Sequence, residues 1–211
     1  MLDIETLVII FSLHQGQLQV LLCQGQGYPR LPGRLLQDGL TLEDNALACL
    51  KEHTSLPQAY LEQLYTYGDL QRRTQTGRLV SVAYFALLAS DAIDQLPAQQ
   101  QWHPVNDLPP LVHDHTDIVH YALRRLRYKL EYSAVGFELL PEAFSLSELQ
   151  RTYEIILGET LDKRNFRRRI LQAGIIEPTP HQRSGGEGRP ARLYRYRPDA
   201  IAEVKARRLF P

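Results

Sequence analysis

The spacing of hydrophobic residues changes character about halfway along the chain. In the first half, Thr6–Leu13 (TLVIIFSL) is a continuous apolar and β-branched run and reads as a buried strand. Gln15-Gly16 marks a turn, and Leu18–Cys23 follows as a second strand. Leu42–His53 switches to helical spacing, with Leu42, Ala46, Leu47 and Leu50 as its core face and Pro57 barring continuation. Tyr65–Asp69 and Leu79–Leu88 (LVSVAYFALL) are further predicted strands, separated by a polar loop over Gln71–Gly77. This order predicts an α/β/α sandwich around a mixed sheet. Residues 91–110, with Pro97, Pro104, Pro109 and Pro110, are expected to be irregular.

The second half has a different grammar. Thr116–Tyr132 is predicted helical, with Ile118, Val119, Ala122, Leu123, Leu126 and Leu130 on one stripe. Arg124, Arg127 and Lys129 lie mostly away from it, so such a helix connects two domains or supports a dimer contact. Ser145-Leu-Ser-Glu148 is a capping-box pattern opening a helix that runs through Leu157 and is closed by Gly158. A second helix spans Asp162–Ala173, with Phe166, Ile170 and Leu171 turned inward and Gly174 as its cap. Two strands, Ile175–Thr179 and Leu193–Arg197, flank the polar tip HQRSGGEGRPAR. Helix, turn, helix and hairpin together predict a winged helix-turn-helix. The expected division is residues 1–112 for the sandwich, 113–132 for a linker helix and 133–211 for the winged domain.

Net charge sharpens this division. The formal charge is zero, yet residues 1–115 hold 6 Lys/Arg against 12 Asp/Glu and residues 116–211 hold 18 against 12. An acidic half and a basic half of equal magnitude point to nucleic acid as the partner of the second. The two cysteines, Cys23 and Cys49, make neither a disulfide framework nor a zinc site and read as reduced thiols. No basic-plus-apolar leader pattern opens the sequence, and Thr6–Leu13 is too short to span a bilayer, so a cytoplasmic, nucleoid-associated protein is expected.

The predicted second helix of the winged domain carries Lys163, Arg164, Asn165, Arg167, Arg168 and Arg169. In a helix-turn-helix this element enters the major groove, where arginine pairs with guanine and asparagine with adenine. Residues i and i+2 diverge around a helix, so not all six face one way. Arg164, Asn165 and Arg168 are expected at base edges, and Arg167 and Arg169 at phosphates or domain contacts. The tip adds Arg183, Arg189 and Arg192 around Ser184-Gly185-Gly186, where glycines permit close approach of backbone to phosphate.

Residues 31–56, LPGRLLQDGLTLEDNALACLKEHTSL, resemble the Nudix box, G-x5-E-x7-R-E-U-x-E-E-x-G-U, with U a bulky apolar residue. In that frame the opening Gly is Arg34, the first Glu is Leu40, and the R-E-U-x-E-E core is Ala48-Cys49-Leu50-Lys51-Glu52-His53. The apolar positions survive and most carboxylates do not. Hard divalent ions need several clustered oxygen ligands, so Glu52 beside His53 is a poor site, and His103 and His113 have no metal-ligand spacing. The expectation is a domain that binds without cleaving: no catalytic residue, no metal, no cofactor.

Across nearly the whole chain the sequence resembles the NrtR-type Nudix-related transcriptional regulators. The matching phrases include LEQLYTYGD (61–69), GRLVSVAYFALL (77–88), LPPLVHDHTDIV (108–119), FELLPEAFSLSELQRTYEIILG (137–158), LDKRNFRRRILQAGII (161–176) and GRPARLYRY (188–196). The resemblance implies a homodimeric bacterial repressor of NAD-biosynthesis or salvage genes, bound to a palindromic double-stranded operator and responding to ADP-ribose or a related NAD metabolite. Within that frame the candidate effector residues are Arg34, as a diphosphate ligand in place of a metal, Arg78 as a phosphate clamp, Tyr67 and its neighbour Tyr65 as adenine platforms, and Asp114-His115, which match a family pair before the linker helix. The alternative for Asp114 is an ordinary helix cap. Two other functions stay open at this point, an active pyrophosphatase on ADP-ribose-like substrates and a regulator of the same layout sensing a sugar.

Overall fold

Strand β1 runs Leu2–His14, and its centre, Leu7–Phe11, is buried on both faces. That is why apolar residues fill consecutive positions there rather than alternate ones. β1 pairs in parallel with β5 (Arg78–Leu88) and antiparallel with β2 (Gln17–Cys23) and β3 (Gly33–Leu35). β4 (Tyr60–Tyr67) and β6 (Gln100–Pro104) complete a six-stranded mixed sheet of order β4-β5-β1-β2-β6, with β3 beside β1. This computed structural model describes residues 2–25, 27–92, 96–97, 100–183, 190–197 and 200. They fall into two units, residues 1–123 and 124–211.

Strand alternation assigns the two faces of the sheet. Val8, Ile10, Leu21, Val82 and Tyr84 pack with Ala46, Cys49 and Leu50 of α1 (Leu42–Thr54). The opposite face carries Glu5, Leu7 and Ile9, level with Ser81, Ala83 and Phe85 of β5. Tyr65, level with Ala83, meets Tyr121 of α2 (His115–Tyr132) at 6.0 Å between ring centroids. Helix, mixed sheet and helix therefore form the Nudix-like sandwich. Three details differ from the periodicity. The buried face of α1 is Asn45, Ala46, Cys49 and Leu50, with Leu47 only half-buried, because Asn45 turns in to donate to Thr6 Oγ1 at 2.9 Å. β4 occupies Tyr60–Tyr67 rather than Tyr65–Asp69, because a bulge between Gln63 and Tyr65 breaks its alternation. The proline-rich stretch contains β6, which ends at Pro104 on the sheet's edge.

The second unit holds the later turns of α2, a 3-10 turn at Val135–Leu139, then β7 (Phe144–Ser145), α3 (Leu146–Leu157), α4 (Lys163–Ala173), β8 (Ile176–Arg183) and β9 (Ala191–Tyr196). The capping box forms: Ser145 Oγ accepts from Glu148 N at 3.2 Å and Glu148 Oε2 accepts from Ser145 N at 2.7 Å. Gly158 ends α3 at φ 77°, the left-handed conformation that favours glycine. Tyr153 of α3 and Phe166 of α4 meet edge-on at 5.6 Å, and the three strands order as β7-β9-β8. Leu171 departs from expectation: it is 49% exposed, since Phe166 and Ile170 already fill the inward face. β8 also continues through Pro178 and Pro180 to Arg183, which an edge strand tolerates.

Candidate functional site

The box forms its helix and sets an arginine on its remaining core carboxylate. Thr41 caps α1 by accepting from Asp44 N at 3.1 Å. Arg34, level with Thr6 in the register, lies on the α1 side of the sheet and donates from Nη1 to Glu52 Oε2 at 3.1 Å. A guanidinium thus sits on the one carboxylate left from the R-E-U-x-E-E core. His53 is lowered in pKa by burial and is held by Gln100 Nε2 at 2.9 Å and Cys23 Sγ at 3.5 Å. Burial also pushes the Cys23 thiol up to about 11 and the Cys49 thiol to about 12. Of the R-E-U-x-E-E core, this leaves a single carboxylate, already paired with Arg34, as an oxygen donor for a hard divalent ion.

The cleft lies on the other face. It encloses about 1040 Å³ and is walled by Gln24–Gly25, Arg30–Leu31, Gly33 and Leu35, by Arg72–Gln75, and by Val112, His113 and His115, with Glu5, Leu7 and Leu79 on its floor. Of the five expected effector residues, His115 lines it. Arg34 does not, because alternation along β3 sends Gly33 and Leu35 toward the cleft and Arg34 away. Arg78 donates instead to Gly68 O at 2.9 Å. Tyr67 and Asp114 stand behind the wall, in contact with Arg72. His103 belongs to β6, level with Val20, and is not among the cleft residues.

The sequence does not point to Arg72, the most buried charged side chain among the described residues of the unit at 2% exposure. Its guanidinium donates to Ser81 Oγ at 2.6 Å, to Glu5 Oε1 at 3.5 Å and to Asp114 Oδ1. It also stands 6.0 Å from the centre of the Tyr67 ring, whose hydroxyl burial raises to about 12. The signal in the sequence is faint: Glu5 directly precedes one apolar run and Ser81 interrupts another, and the register sets them side by side. Next to this network, His115 Nδ1 accepts the Leu31 N–H at 3.0 Å. Burial, followed by the nearby Arg72 charge, holds its pKa down at about 4, so the ring is neutral with its proton on Nε2. Arg30 and Arg73, also not anticipated, stand exposed on two walls and form no ion pair among the described residues.

On the winged unit, Asp162 caps α4 through Asn165 N at 2.8 Å. At 3.6 residues per turn, Arg164 and Arg168 lie opposite the buried Phe166 and Ile170, with Asn165 beside them. Lys163, Arg164, Asn165, Arg168 and Arg169 are all exposed, and Arg168 Nη2 reaches Asn165 Oδ1 at 2.9 Å. Arg167 turns back to Ser147 Oγ at 3.1 Å, a contact within the domain. Arg183 is tied to Glu148 and to Ala143 O at 3.1 Å, whereas Arg192 is exposed on β9. Arg189 lies outside the described residues, as do Ser184, Gly185 and Gly186.

A Nudix-like sandwich with a polar, arginine-lined cleft, joined to a winged helix with a basic exposed face, defines a Nudix-related protein carrying a DNA-binding domain. Comparison with known proteins places it more closely. Residues 136–196 match the model of the NrtR DNA-binding winged helix domain. The chain is 39% identical over 201 residues to the ADPR responsive transcriptional repressor NtrR of Acinetobacter baylyi, covering 89% of this chain and 79% of that protein. It superposes on Shewanella oneidensis NrtR complexed with a 27mer DNA with a TM-score of 0.85 at 34% identity, covering 94% and 95% of the two chains. The NUDIX domain of the same Shewanella protein, complexed with ADP ribose, matches 58% of this chain and 87% of that one, at 32% identity and a TM-score of 0.50. The chain belongs to the NrtR family of transcriptional regulators.

Proposed function

We propose that this protein is a transcriptional repressor that binds a palindromic operator as a homodimer and senses ADP-ribose, with genes of NAD biosynthesis or salvage as its targets. The observation that carries the reading is the 39% identity over 201 residues, which spans both units, to a repressor responsive to ADP-ribose. The chemistry of the two surfaces agrees with it. Arg164, Asn165 and Arg168 face outward to read base edges. Lys163, Arg169, Arg192 and Arg189 supply phosphate contacts, while Arg167 and Arg183 brace the domain. In the cleft, Arg30 and Arg73 offer guanidinium groups without carboxylate partners among the described residues, suited to a diphosphate. His115 contributes a neutral ring.

The same reading makes the sandwich a sensor without hydrolase activity, since Arg34 occupies the carboxylate of Glu52. Fluorescence anisotropy of a labelled operator, titrated with ADP-ribose, tests the function: the operator affinity is expected to change with ADP-ribose and to stay constant with ribose. Affinity unchanged by ADP-ribose, with no heat of binding by calorimetry, removes the sensing role. Incubation with Mg²⁺ and ADP-ribose is expected to release no more AMP from the wild type than from Glu52→Gln.

A further inference from the structure

Three loops build the cleft, and two of them are fastened to the third. The segment Val112–His115 opens α2. From one wall, Leu31 N donates to His115 Nδ1 at 3.0 Å, while Val112 N donates to Pro29 O at 3.2 Å. From the other wall, Arg72 holds Asp114. Arg72 reaches α2 by a second route as well: its guanidinium stands against Tyr67, Tyr67 meets Tyr65 edge-on at 5.4 Å, and Tyr65 meets Tyr121. One cleft-lining side chain thus touches the start of α2 directly and its second turn through two rings. Helix α2 then continues to Tyr132, so its residues belong to both units.

Arg72 is also incompletely satisfied. Its Nε is buried without a hydrogen-bond partner among the described residues, while Nη1 and Nη2 are engaged. A guanidinium pairs best with an oxyanion in a two-pronged arrangement, and a buried donor left unpaired is costly. An oxyanion that reached this group from the cleft would compete with Asp114 for it. We propose that the Arg72–Asp114 ion pair is a latch on the opening of α2, released when an anionic ligand in the cleft takes the Arg72 guanidinium for itself. The inference rests on the effector reading above and adds how the ligand's arrival leaves the cleft. His115 is not the moving charge in this scheme; the titratable and charged groups that face it are Arg72, Asp114, His113 and Arg30, and burial with the Arg72 charge disfavours its protonation.

Linkage fixes the signs. If Asp114 competes with the ligand, removing its charge raises ligand affinity and shifts the ligand-free protein toward the ligand-bound form. Asp114→Asn is therefore expected to bind ADP-ribose about threefold to tenfold more tightly than wild type, the size of an ordinary coupling. Its operator affinity without ADP-ribose is expected to move toward the wild-type value with ADP-ribose, leaving a smaller response. Unchanged affinity with a full response overturns the latch, and weaker ADP-ribose binding overturns it too, by making Asp114 a ligand contact. Should the variant not fold, hydrogen exchange on the wild type decides. The N–H groups of His115 (to Val112 O, 3.1 Å) and Ile118 (to Asp114 O, 3.0 Å) are expected to exchange faster with ADP-ribose and at the basal rate with adenosine, which lacks phosphate. Equal exchange with and without ADP-ribose overturns the latch. A wild type that binds no ADP-ribose instead removes the effector reading and the latch with it.

Discussion

His115 shows how one buried side chain ties stability to pH. Its folded pKa is about 4 against an ordinary value of 6.5, so between those values the unfolded chain binds a proton that the folded chain refuses. Stability is at its full value above about 6.5, falls as pH drops through that window, and levels off below about 4. Between pH 7 and pH 5 this group alone removes about 2 kcal/mol. His115→Gln keeps an acceptor for Leu31 N–H without a titrating ring. The wild type is expected to lose about 2 kcal/mol more than the variant over that interval in urea unfolding. Parallel losses would mean that the ring protonates normally. At this scale the sequence was only partly legible. His115 stands out only through the resemblance, as half of the family's Asp-His pair before the linker helix. Arg72 could not, since it reads as one cation in a polar loop until folding brings Glu5, Ser81 and Asp114 around it. Arg34 and Arg78 looked like better phosphate ligands, but strand alternation and a loop carbonyl claim them.

Among the elements, α3 was fully legible because both of its ends are written in local chemistry. Its capping box and its left-handed glycine each satisfy backbone groups within a few residues. Ser145→Ala is expected to cost about 1 kcal/mol through the lost cap. Gly158→Ala is expected to cost about 1 kcal/mol for backbone strain alone, since a Cβ there meets only Arg127 Nη2, at 3.5 Å. Denaturant midpoints of the two variants check both figures, and a Gly158→Ala protein as stable as wild type would contradict the conformation at φ 77°. Elements whose existence depends on distant partners were not legible. β3 spans three residues and β7 two, too few to show a period, and each forms because a long strand lies alongside. β6 was hidden by prolines that an edge position permits. In α4, the charges outnumber the apolar residues, so apolar character alone places Leu171 inward; the structure puts it on the exposed side with Arg164 and Arg168.

At the scale of the whole molecule the zero net charge conceals a division of labour that salt can expose. Each phosphate neutralised by a lysine or arginine adds about 0.9 to the slope of log affinity against log salt concentration. Residues 116–211 hold 18 of the 24 Lys/Arg, so the slope should come from the winged unit and not from the arginines of the cleft. Arg192→Ala, removing an exposed cation on β9, is expected to lower the slope by about one and to weaken operator and random DNA alike. Arg164→Ala with Arg168→Ala should act differently, because base-edge contacts carry discrimination. Operator affinity is expected to fall toward that of random DNA, with a loss of about 1–3 kcal/mol for each paired contact. Arg30→Ala with Arg73→Ala should leave the slope unchanged while abolishing the response to ADP-ribose. Anisotropy titrations at several salt concentrations, on operator and scrambled DNA, separate the three classes. A slope lowered by the cleft substitutions would place phosphate contacts on the first unit. A uniform loss from the α4 substitutions would reduce that helix to an electrostatic anchor and leave base readout to other residues.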